Sequence, residues 1–149
     1  MNERKVRWGI LGTAKIATTH VIPGLKRANM CEVHGIASRN EDKAKTVANQ
    51  FAIPHYYSSY EQLLDDPEIE AIYIPLPNHL HVEWSRKALE AGKHVLCEKP
   101  LALTTKEVKD LITLRNSSDR KIGEAFMVHT HPQWVKAKSL VRNQKFGGL

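Results

Sequence analysis

The chain has 149 residues, 42% of them hydrophobic and 26% charged, which fits one globular domain with a real core and argues against a disordered protein. Its net charge of +6 is spread over every predicted helix among acidic residues, a pattern that does not favour a nucleic-acid-binding face. No apolar run approaches the ~18 residues of a membrane span and no apolar leader precedes the first strand, so a cytoplasmic protein without nucleic-acid or membrane partners is expected, with Cys31 and Cys97 reduced.

The first strand and the turn after it are the most informative stretch. The apolar run Val6–Leu11 predicts a strand, and residues 12–17 read Gly-Thr-Ala-Lys-Ile-Ala, where dinucleotide-binding folds carry G-x-G-x-x-G/A. Gly12 permits the tight turn, the small Ala14 lets backbone N–H groups approach a pyrophosphate, and the helix N-terminus attracts the phosphates. An ordinary strand-turn-helix fits this match about equally well. The candidate cofactor-binding residues here are Gly12, Thr13, Ala14, Lys15 and Ile16.

Helices and strands alternate through the first half of the chain. Pro23-Gly24 predicts a kink or restart in the first helix, and apolar residues recur at helical spacing over 44–51. Residues 69–75 form a near-continuous apolar run, typical of a strand buried on both faces. The predicted elements are a helix at 16–28, a strand at 32–37, the amphipathic helix, a short strand at 54–57, a brief helix opened by a capping box at 58–61 and stopped before Pro67, and the strand at 69–75.

The second half continues the alternation. Asn78 is predicted to cap a helix that ends at Gly92, and residues 104–107 form a second capping box. The helix that this box opens has one side made of Val108, Leu111, Ile112 and Arg115. Strands at 93–98 and 121–128 and a last helix at 134–143 complete the pattern. Strands that alternate with helices of about 10–15 residues predict an α/β fold with a doubly wound, mostly parallel sheet of the Rossmann type.

The residues after the second strand bear on the choice of cofactor. In a doubly wound sheet, ligands bind beyond the carboxyl ends of the strands. Ser38 and Arg39 stand at this place, and their hydroxyl and guanidinium suit a 2′-phosphate, to which Lys43 adds charge one turn into the next helix. A carboxylate here would favour NAD, so these residues favour NADP, with NAD possible. The alternative is that Arg39 is a solvated loop arginine that pairs with Glu41 or Asp42.

Two further segments follow buried strands. The segment Pro75-Leu-Pro77 cannot continue the sheet, because proline fixes φ and lacks a donor. The segment offers apolar edges to an uncharged ring, although such a segment is more often a plain loop. Cys97-Glu-Lys-Pro100 ends the next strand, and Lys99 is the candidate catalytic group, an ammonium that exchanges a proton with a substrate oxygen. A surface pair between Glu98 and Lys99 explains the same spacing. Cys97 is expected to be a small buried hydrophobe.

Taken together, the motifs resemble one known family over nearly the whole chain. In chain order they are Trp8-Gly-Ile-Leu-Gly-Thr-Ala-Lys-Ile-Ala17, Ala37-Ser-Arg39, Pro77-Asn-His-Leu-His81, Glu98-Lys-Pro-Leu-Ala102 and Glu124-Ala-Phe-Met127 with His131-Pro132. This series is similar to the N-terminal half of the Gfo/Idh/MocA oxidoreductases, which include glucose–fructose oxidoreductase, inositol dehydrogenase and dihydrodiol dehydrogenase-like enzymes. The specific part of the resemblance is the Glu-Lys-Pro tripeptide placed after Pro-Asn-x-x-His.

The resemblance implies a role for each segment. Lys99 would lie at the nicotinamide and the substrate, and Glu98 near the nicotinamide ribose. The cofactor would run along Leu76, Pro77, Asn78 and His81, with its 2′-phosphate at Ser38, Arg39 and Lys43. The Gly-Thr-Ala turn and the Ser-Arg pair resemble the NADP-using branch of the family more than the NAD-using inositol branch. The implied substrate is a sugar-like molecule or small cyclic polyol, and the full-length protein would be a homo-oligomer.

The chain departs from the family pattern in two respects. Where relatives often read Met-x-Arg-x-His-Pro, this chain has Met127-Val-His-Thr-His-Pro132, which leaves the role of His129 open. Family members also continue into an open-faced α/β domain that supplies the substrate pocket, whereas this chain stops at Leu149. It is therefore expected to be a fragment or a lone cofactor domain, with a dinucleotide-binding domain at 1–128 and a final helix and connector at 129–149.

The remaining constellations are weaker. His79 and His81, and likewise His129 and His131, alternate as ligands on a strand do, but His79 and His81 fall at a helix start and no cysteine or carboxylate stands at ligand spacing, so no metal is expected. Trp134 is a candidate cap on the cofactor crevice, and packing against the last helix is an equal alternative.

These observations lead to two expected functions. The first is an NADP-dependent oxidoreductase, or its cofactor half, that moves hydride between nicotinamide and a carbonyl or secondary alcohol of a sugar-like or small cyclic polyol substrate. The second is a non-catalytic NAD(P)-binding or sensing module that acts with a partner.

Overall fold

A computed structural model describes residues 4–143, and within them the strands form one six-stranded parallel sheet. The strands are β1 Val6–Leu11, β2 Cys31–Ala37, β3 His55–Tyr57, β4 Ala71–Ile74, β5 His94–Glu98 and β6 Ile122–Ala125. Their order across the sheet is β3-β2-β1-β4-β5-β6. All five neighbouring pairs are parallel, so each connection must cross over the sheet.

Helices make these crossovers. Within residues 4–143 the α-helices are α1 Ile22–Arg27, α2 Glu41–Phe51, α3 Tyr60–Asp65, α4 His81–Glu90, α5 Thr105–Ser118 and α6 Pro132–Arg142. A π-helical turn at Ala17–Val21 precedes α1, and 3₁₀ turns at Asn78–Leu80 and Met127–His129 precede α4 and α6. None of these helices combines the length and hydropathy that a bilayer-spanning segment requires.

The strand order confirms the doubly wound Rossmann prediction. β1 pairs with β2 on one side and with β4 on the other, so the chain winds outward first in one direction and then in the other. Such a reversal opens a crevice beyond the carboxyl ends of the two strands that flank it. The fold therefore directs attention to the residues that follow β1, β2 and β4.

The hydrophobic core has two clusters, one on each face of the sheet. One buries Leu63 of α3, Trp84 of α4 and Leu111 of α5. The other buries Ile22 of α1 and Ala48 of α2. Because helices cover both faces at the centre of the sheet, all four residues of β4 are buried, as its apolar run predicts, whereas the edge strands β3 and β6 contain exposed residues.

The first helix does not restart at Pro23-Gly24. Helical residues run without a break from Lys15 to Arg27, and the π-helical turn Ala17–Val21, in which the Ile22 N–H donates to the Ala17 carbonyl, leads directly into α1. The predicted span 16–28 is therefore one helical run whose hydrogen-bond pattern changes just before the proline. The carboxyl end of α1 is Arg27, and Ala28 is already extended with φ −78° and ψ 128°.

Two of the predicted helix caps are wrong. The cap of α3 is Ser59 and not Ser58: the Ser59 Oγ accepts the N–H of Gln62 at 3.2 Å, while the Gln62 side chain accepts the N–H of Ser58 at 3.2 Å. Ser59 and Gln62 stand three residues apart, as Ser58 and Glu61 do, so the sequence pattern alone could not decide between the two caps. Asn78 caps nothing, because the segment begins as a 3₁₀ turn in which Leu80 N–H donates to the Pro77 carbonyl at 2.8 Å.

The second predicted box is confirmed. Thr104 Oγ1 accepts the N–H of Glu107 at 3.3 Å, and the Glu107 carboxylate accepts the N–H of Thr104 at 2.9 Å. The predicted apolar side of α5 is only partly right, since Leu111 is buried but Ile112 is 42% exposed. Gly92, at φ +73°, follows α4 as predicted.

The last elements differ from their predicted bounds. β6 ends at Ala125 and not at residue 128, because the 3₁₀ turn Met127–His129 intervenes, and α6 begins at Pro132 with His131 as its cap. α6 leaves Trp134, Val135 and Val141 about half exposed. The boundary at residue 128 stays a prediction, and residues 144–149 of the predicted connector lie outside the described residues.

Lys93 is a buried lysine that should contribute measurably to stability. It is 6% exposed, and its Nζ donates to the Asp66 carbonyl at 2.6 Å and the Ile69 carbonyl at 2.8 Å; burial lowers its pKa. Lys93→Met leaves both carbonyls without this donor, so we expect the free energy of unfolding to fall by about 1–3 kcal/mol in urea denaturation. The control is Lys45→Met on the exposed side of α2, and an equal effect in both variants would contradict the prediction.

Candidate functional site

A crevice of about 510 Å³ lies beyond the carboxyl ends of β1, β2 and β4. It brings together segments that are far apart in the sequence. Eight of the residues predicted to bind a cofactor line it: Gly12, Thr13, Ala14, Ser38, Arg39, Lys43, Leu76 and Pro77. Asn40, Tyr60 and Pro75 complete the lining. We call this space the nucleotide crevice.

The turn after β1 forms the floor of the nucleotide crevice. Gly12 has φ +91°, a conformation that side chains rarely allow, and its N–H donates to the Ala37 carbonyl of β2 at 2.7 Å. A Cβ at Gly12 would lie 3.0 Å from Cδ2 of Leu76, so a side chain would also fill the crevice. Helical residues begin at Lys15, and the first N–H groups of a helix lack intrahelical partners. The turn therefore presents donors to an anion that can approach closely.

The end of β2 supplies positive charge. Ser38 is buried, and its Oγ accepts the N–H of Asn40 at 3.2 Å, which leaves the hydroxyl hydrogen to donate. Arg39 and Lys43 are exposed, and neither forms an ion pair with any residue in 4–143. The alternative pairing of Arg39 with Glu41 or Asp42 is therefore absent, and both cations stand open to an anionic ligand.

A second cavity, of about 720 Å³, lies on the other side of the Gly12 turn. Ile16 and Glu98 line it, with apolar groups from the end of β6 and the following turn, among them Phe126 and Met127. His129 also lines it, at the place where relatives often have an arginine. We call this space the β5–β6 cavity. It is mainly apolar, as expected of a wall for an uncharged ring.

Glu98 and Lys99 end β5 at the edge of this cavity. The buried Tyr73 of β4 donates its hydroxyl to Glu98 Oε1 at 2.6 Å, and burial together with that carboxylate raises the pKa of Tyr73, which keeps the donor protonated. Lys99 is exposed, and its backbone N–H contacts Glu98 Oε2 at 3.4 Å. The carboxylate is thus held by its neighbours while the Lys99 side chain extends from the sheet.

The other predicted residues lie outside both spaces. Lys15 and Asn78 are exposed beside the nucleotide crevice without lining it. Trp134 is 54% exposed in a separate groove along α6, so its role as a cap on the cofactor stays a prediction. His81 is fully buried, and both of its ring nitrogens contact backbone carbonyls. As placed, its imidazole has no face left for a cofactor.

Two tyrosines of the site were missed by the sequence reasoning. Tyr60 lines the nucleotide crevice, with its hydroxyl 3.6 Å from the position of a Cβ on Gly12. It stood inside a predicted capping box, which signalled only a helix start. Tyr73, which holds Glu98, lay within the apolar run 69–75 and carried no signal of its own.

The thiols and histidines carry no evident chemistry. Cys97 is fully buried, and burial raises the pKa of its thiol to about 12, so it stays protonated as expected of a small apolar group. Among residues 4–143, no three His, Cys, Asp or Glu side chains are grouped as metal ligands would be.

Comparison with known proteins decides the family. The sequence model described as "Oxidoreductase family, NAD-binding Rossmann fold" matches residues 6–126, which is most of the chain. The chain belongs to the Gfo/Idh/MocA family. The segments of this Gfo/Idh/MocA domain that form the nucleotide crevice all fall within the matched residues.

Individual Gfo/Idh/MocA relatives are similar over nearly the whole chain. ORF334, an uncharacterised oxidoreductase of Rhizobium meliloti, is 53% identical over 142 residues, which cover 95% of this chain and 42% of the relative. D-xylose 1-dehydrogenase (NADP(+)) 2 of Haloferax volcanii is 44% identical over 137 residues, covering 92% and 42%. The chain thus spans about two fifths of the length of these relatives.

A solved Gfo/Idh/MocA structure has the same fold over this region. It is KijD10, a 3-ketoreductase from Actinomadura kijaniata in complex with NADP and TDP-benzene. The TM-score is 0.90 at 35% sequence identity, and the match covers 94% of this chain and 43% of the other.

Proposed function

We propose that this chain is the cofactor-binding part of an NADP-dependent oxidoreductase. The observation that carries the proposal is the nucleotide crevice, in which a glycine turn with close backbone access meets two unpaired cations and an apolar proline wall. When bound, the nicotinamide of the cofactor gives or takes the hydride. The protein's part is to bind and orient the cofactor and to exchange a proton with the substrate.

Each part of the crevice suits one part of the cofactor. The Gly12 turn and the helix that follows it would bind the pyrophosphate through backbone N–H groups. Leu76 and Pro77 form the opposite wall, with Leu76 92% buried. The β5–β6 cavity lies beyond the same turn and would take the nicotinamide, with Ile16 on one side and Glu98 on another.

The end of β2 favours NADP over NAD. Ser38 has a hydroxyl hydrogen to donate, and Arg39 and Lys43 are charged and without internal partners among the described residues. A guanidinium can bind a phosphate through two parallel hydrogen bonds and also stack on an adenine face. The D-xylose dehydrogenase is named for NADP(+), and the KijD10 crystal structure contains NADP, which supports the same choice.

For the chemistry we propose Lys99 as the catalytic residue. Its ammonium would polarise a substrate carbonyl or hold an alkoxide beside the nicotinamide, with Glu98 kept in place by Tyr73. The substrate class we propose is a sugar-like molecule or small polyol, because xylose and keto-sugar enzymes are among the relatives. The homo-oligomeric state, the cytoplasmic location and the alternative of a non-catalytic NAD(P)-binding module remain predictions.

The direct test is calorimetric titration of the chain with NADPH and with NADH. We expect both to bind, with NADPH the tighter by at least about tenfold, which is about 1.4 kcal/mol. Turnover of a panel of aldoses, keto-sugars and cyclic polyols then separates an enzyme from a non-catalytic module. A folded chain that takes up neither coenzyme at millimolar concentration would end the proposal.

Arg39→Asp should reverse the coenzyme preference. The change removes the guanidinium and places a carboxylate where the 2′-phosphate would lie, so we expect NADPH affinity to fall about a hundredfold while NADH affinity changes little. Calorimetry with both coenzymes measures the effect. The control is Arg27→Asp, the same charge change on the exposed carboxyl end of α1. Equal losses for NADPH and NADH would show that Arg39 does not contact the phosphate.

A further inference from the structure

His81 connects two loops of the site. It is the first residue of α4 and is fully buried. Its Nε2 lies 2.6 Å from the carbonyl oxygen of Leu76, in the wall of the nucleotide crevice. Its Nδ1 lies 2.7 Å from the carbonyl oxygen of Pro100, next to Lys99. One imidazole therefore spans from the loop after β4 to the loop after β5.

Each of these two contacts needs a hydrogen between the ring nitrogen and the carbonyl oxygen to be a hydrogen bond. Carbonyl oxygens only accept hydrogen bonds, so both contacts are hydrogen bonds only when both ring nitrogens carry a hydrogen. A side chain with a single donor hydrogen could bond one loop or the other, but not both.

The loop after β5 is held from two sides. Leu101 N–H donates to Glu124 Oε1 at 2.9 Å, which fixes the loop toward β6. The His81 ring fixes the same loop toward the wall of the nucleotide crevice. A ligand that presses on Leu76 would therefore act on the segment containing Lys99 through one rigid ring.

We propose that His81 is a positioning residue that couples occupancy of the nucleotide crevice to the placement of Lys99. It does not touch the cofactor; it holds the Leu76 and Pro100 carbonyls at a fixed separation. The proposal rests on the proposed function, because it takes NADPH as the occupant and Lys99 as the catalytic group. It assigns His81 an indirect role in place of the direct cofactor contact that the family resemblance implies.

The test compares His81→Gln with His79→Gln in the full chain. Glutamine carries both of its donor hydrogens on one nitrogen, so it cannot hold the two carbonyls at the separation that the two ring nitrogens of His81 set. His79 lies two residues earlier in the same segment and is exposed, which makes it a matched control. Backbone amide NMR signals of Ala14, Lys99 and Leu101 are followed while 2′,5′-ADP is added, because this part of NADP lacks the nicotinamide and cannot reach Lys99 directly. Ala14 reports on the crevice, and the other two report on the loop after β5.

In the wild type and in His79→Gln we expect all three signals to move on 2′,5′-ADP binding. In His81→Gln we expect the Ala14 signal still to move, while the Lys99 and Leu101 signals no longer respond at saturation. We also expect NADPH affinity to fall about tenfold, which is about 1.4 kcal/mol. A merely structural histidine would lower stability without separating the responses of the two loops. Signals of Lys99 and Leu101 that respond in His81→Gln as in the wild type would overturn the proposal.

Two further measurements keep the proposal separate from the proposed function and from loss of folding. In the wild-type chain, the ¹⁵N signals of the His81 ring should shift together with the Lys99 and Leu101 amide signals as 2′,5′-ADP is added; His81 ring signals that stay unchanged while Ala14 moves overturn the coupling even if the variant fails to fold. If the wild type does not bind NADPH, the proposed function fails, and the cofactor-free spectra then test the coupling alone. Signal changes at both Leu76 and Leu101 in His81→Gln would support the coupling. Changes confined to α4 would refute it.

Discussion

Replacing Gly12 by alanine should weaken NADPH binding by at least about a hundredfold, or about 2.7 kcal/mol. Two observations lead to this value. Gly12 has φ +91°, which alanine adopts only with strain. The added Cβ would also lie 3.0 Å from Cδ2 of Leu76, in the space where the pyrophosphate must approach the backbone. The affinity is measured by calorimetry on a variant whose folding is verified by circular dichroism.

The matched control is Gly24→Ala. Gly24 lies in α1, has no atom within 4 Å of the position of an added Cβ, and is remote from the nucleotide crevice. We expect it to bind NADPH as the wild type does and to gain slightly in stability, because alanine is the better helix former. A folded Gly12→Ala protein with normal NADPH affinity would show that the cofactor does not approach this turn.

Replacing Lys99 by alanine should abolish most turnover and leave cofactor binding intact. Loss of a positioned proton donor typically costs about a hundredfold to ten-thousandfold in rate. The Lys99 side chain is exposed at the end of β5 and lines neither the nucleotide crevice nor the β5–β6 cavity, so NADPH affinity should stay within about twofold of the wild type. The measurements are kcat on a substrate identified from the sugar and polyol panel and calorimetry with NADPH.

Lys121→Ala is the control for this change. Lys121 is also exposed, but it precedes β6 and thus lies at the opposite edge of the sheet. Turnover is measured in the longest natural form of the protein, since the chain spans about two fifths of the length of its relatives. If Lys99→Ala retains near-normal kcat, the proton must be exchanged by another group and Lys99 loses its catalytic assignment.

The architecture was predictable because local signals agreed. Val6–Leu11 is apolar, short and followed by glycine, and the run at 69–75 is apolar without alternation, so each admitted few alternatives. The bounds of elements were harder. The cap of α3 could be Ser58 or Ser59, since both stand three residues before a polar partner, and the structure has Ser59 as the cap. Likewise, nothing in the residues around Asn78 signalled a 3₁₀ turn.

The lining of the nucleotide crevice was predictable where it depends on the backbone or on a charged side chain. Gly12, Arg39 and Pro77 follow strand ends, and the topology of a doubly wound sheet brings such positions together. The contacts of His81 were beyond sequence reasoning because they depend on which carbonyls face the imidazole ring, at positions 5 and 19 residues away. The contact of Tyr73 with Glu98 spans 25 residues between adjacent strands and was hidden for the same reason.

The nucleotide crevice and the β5–β6 cavity lie on opposite sides of one short turn and share no lining residue. Under the proposed assignment, substitutions at Ser38 or Arg39 would change the preference between NADP and NAD without altering the cavity proposed for the nicotinamide. Substitutions around Phe126 or His129 would alter that cavity without changing the coenzyme preference. Proteins that carry this domain could therefore evolve to use new substrates with the same coenzyme, or to use the other coenzyme with the same substrate.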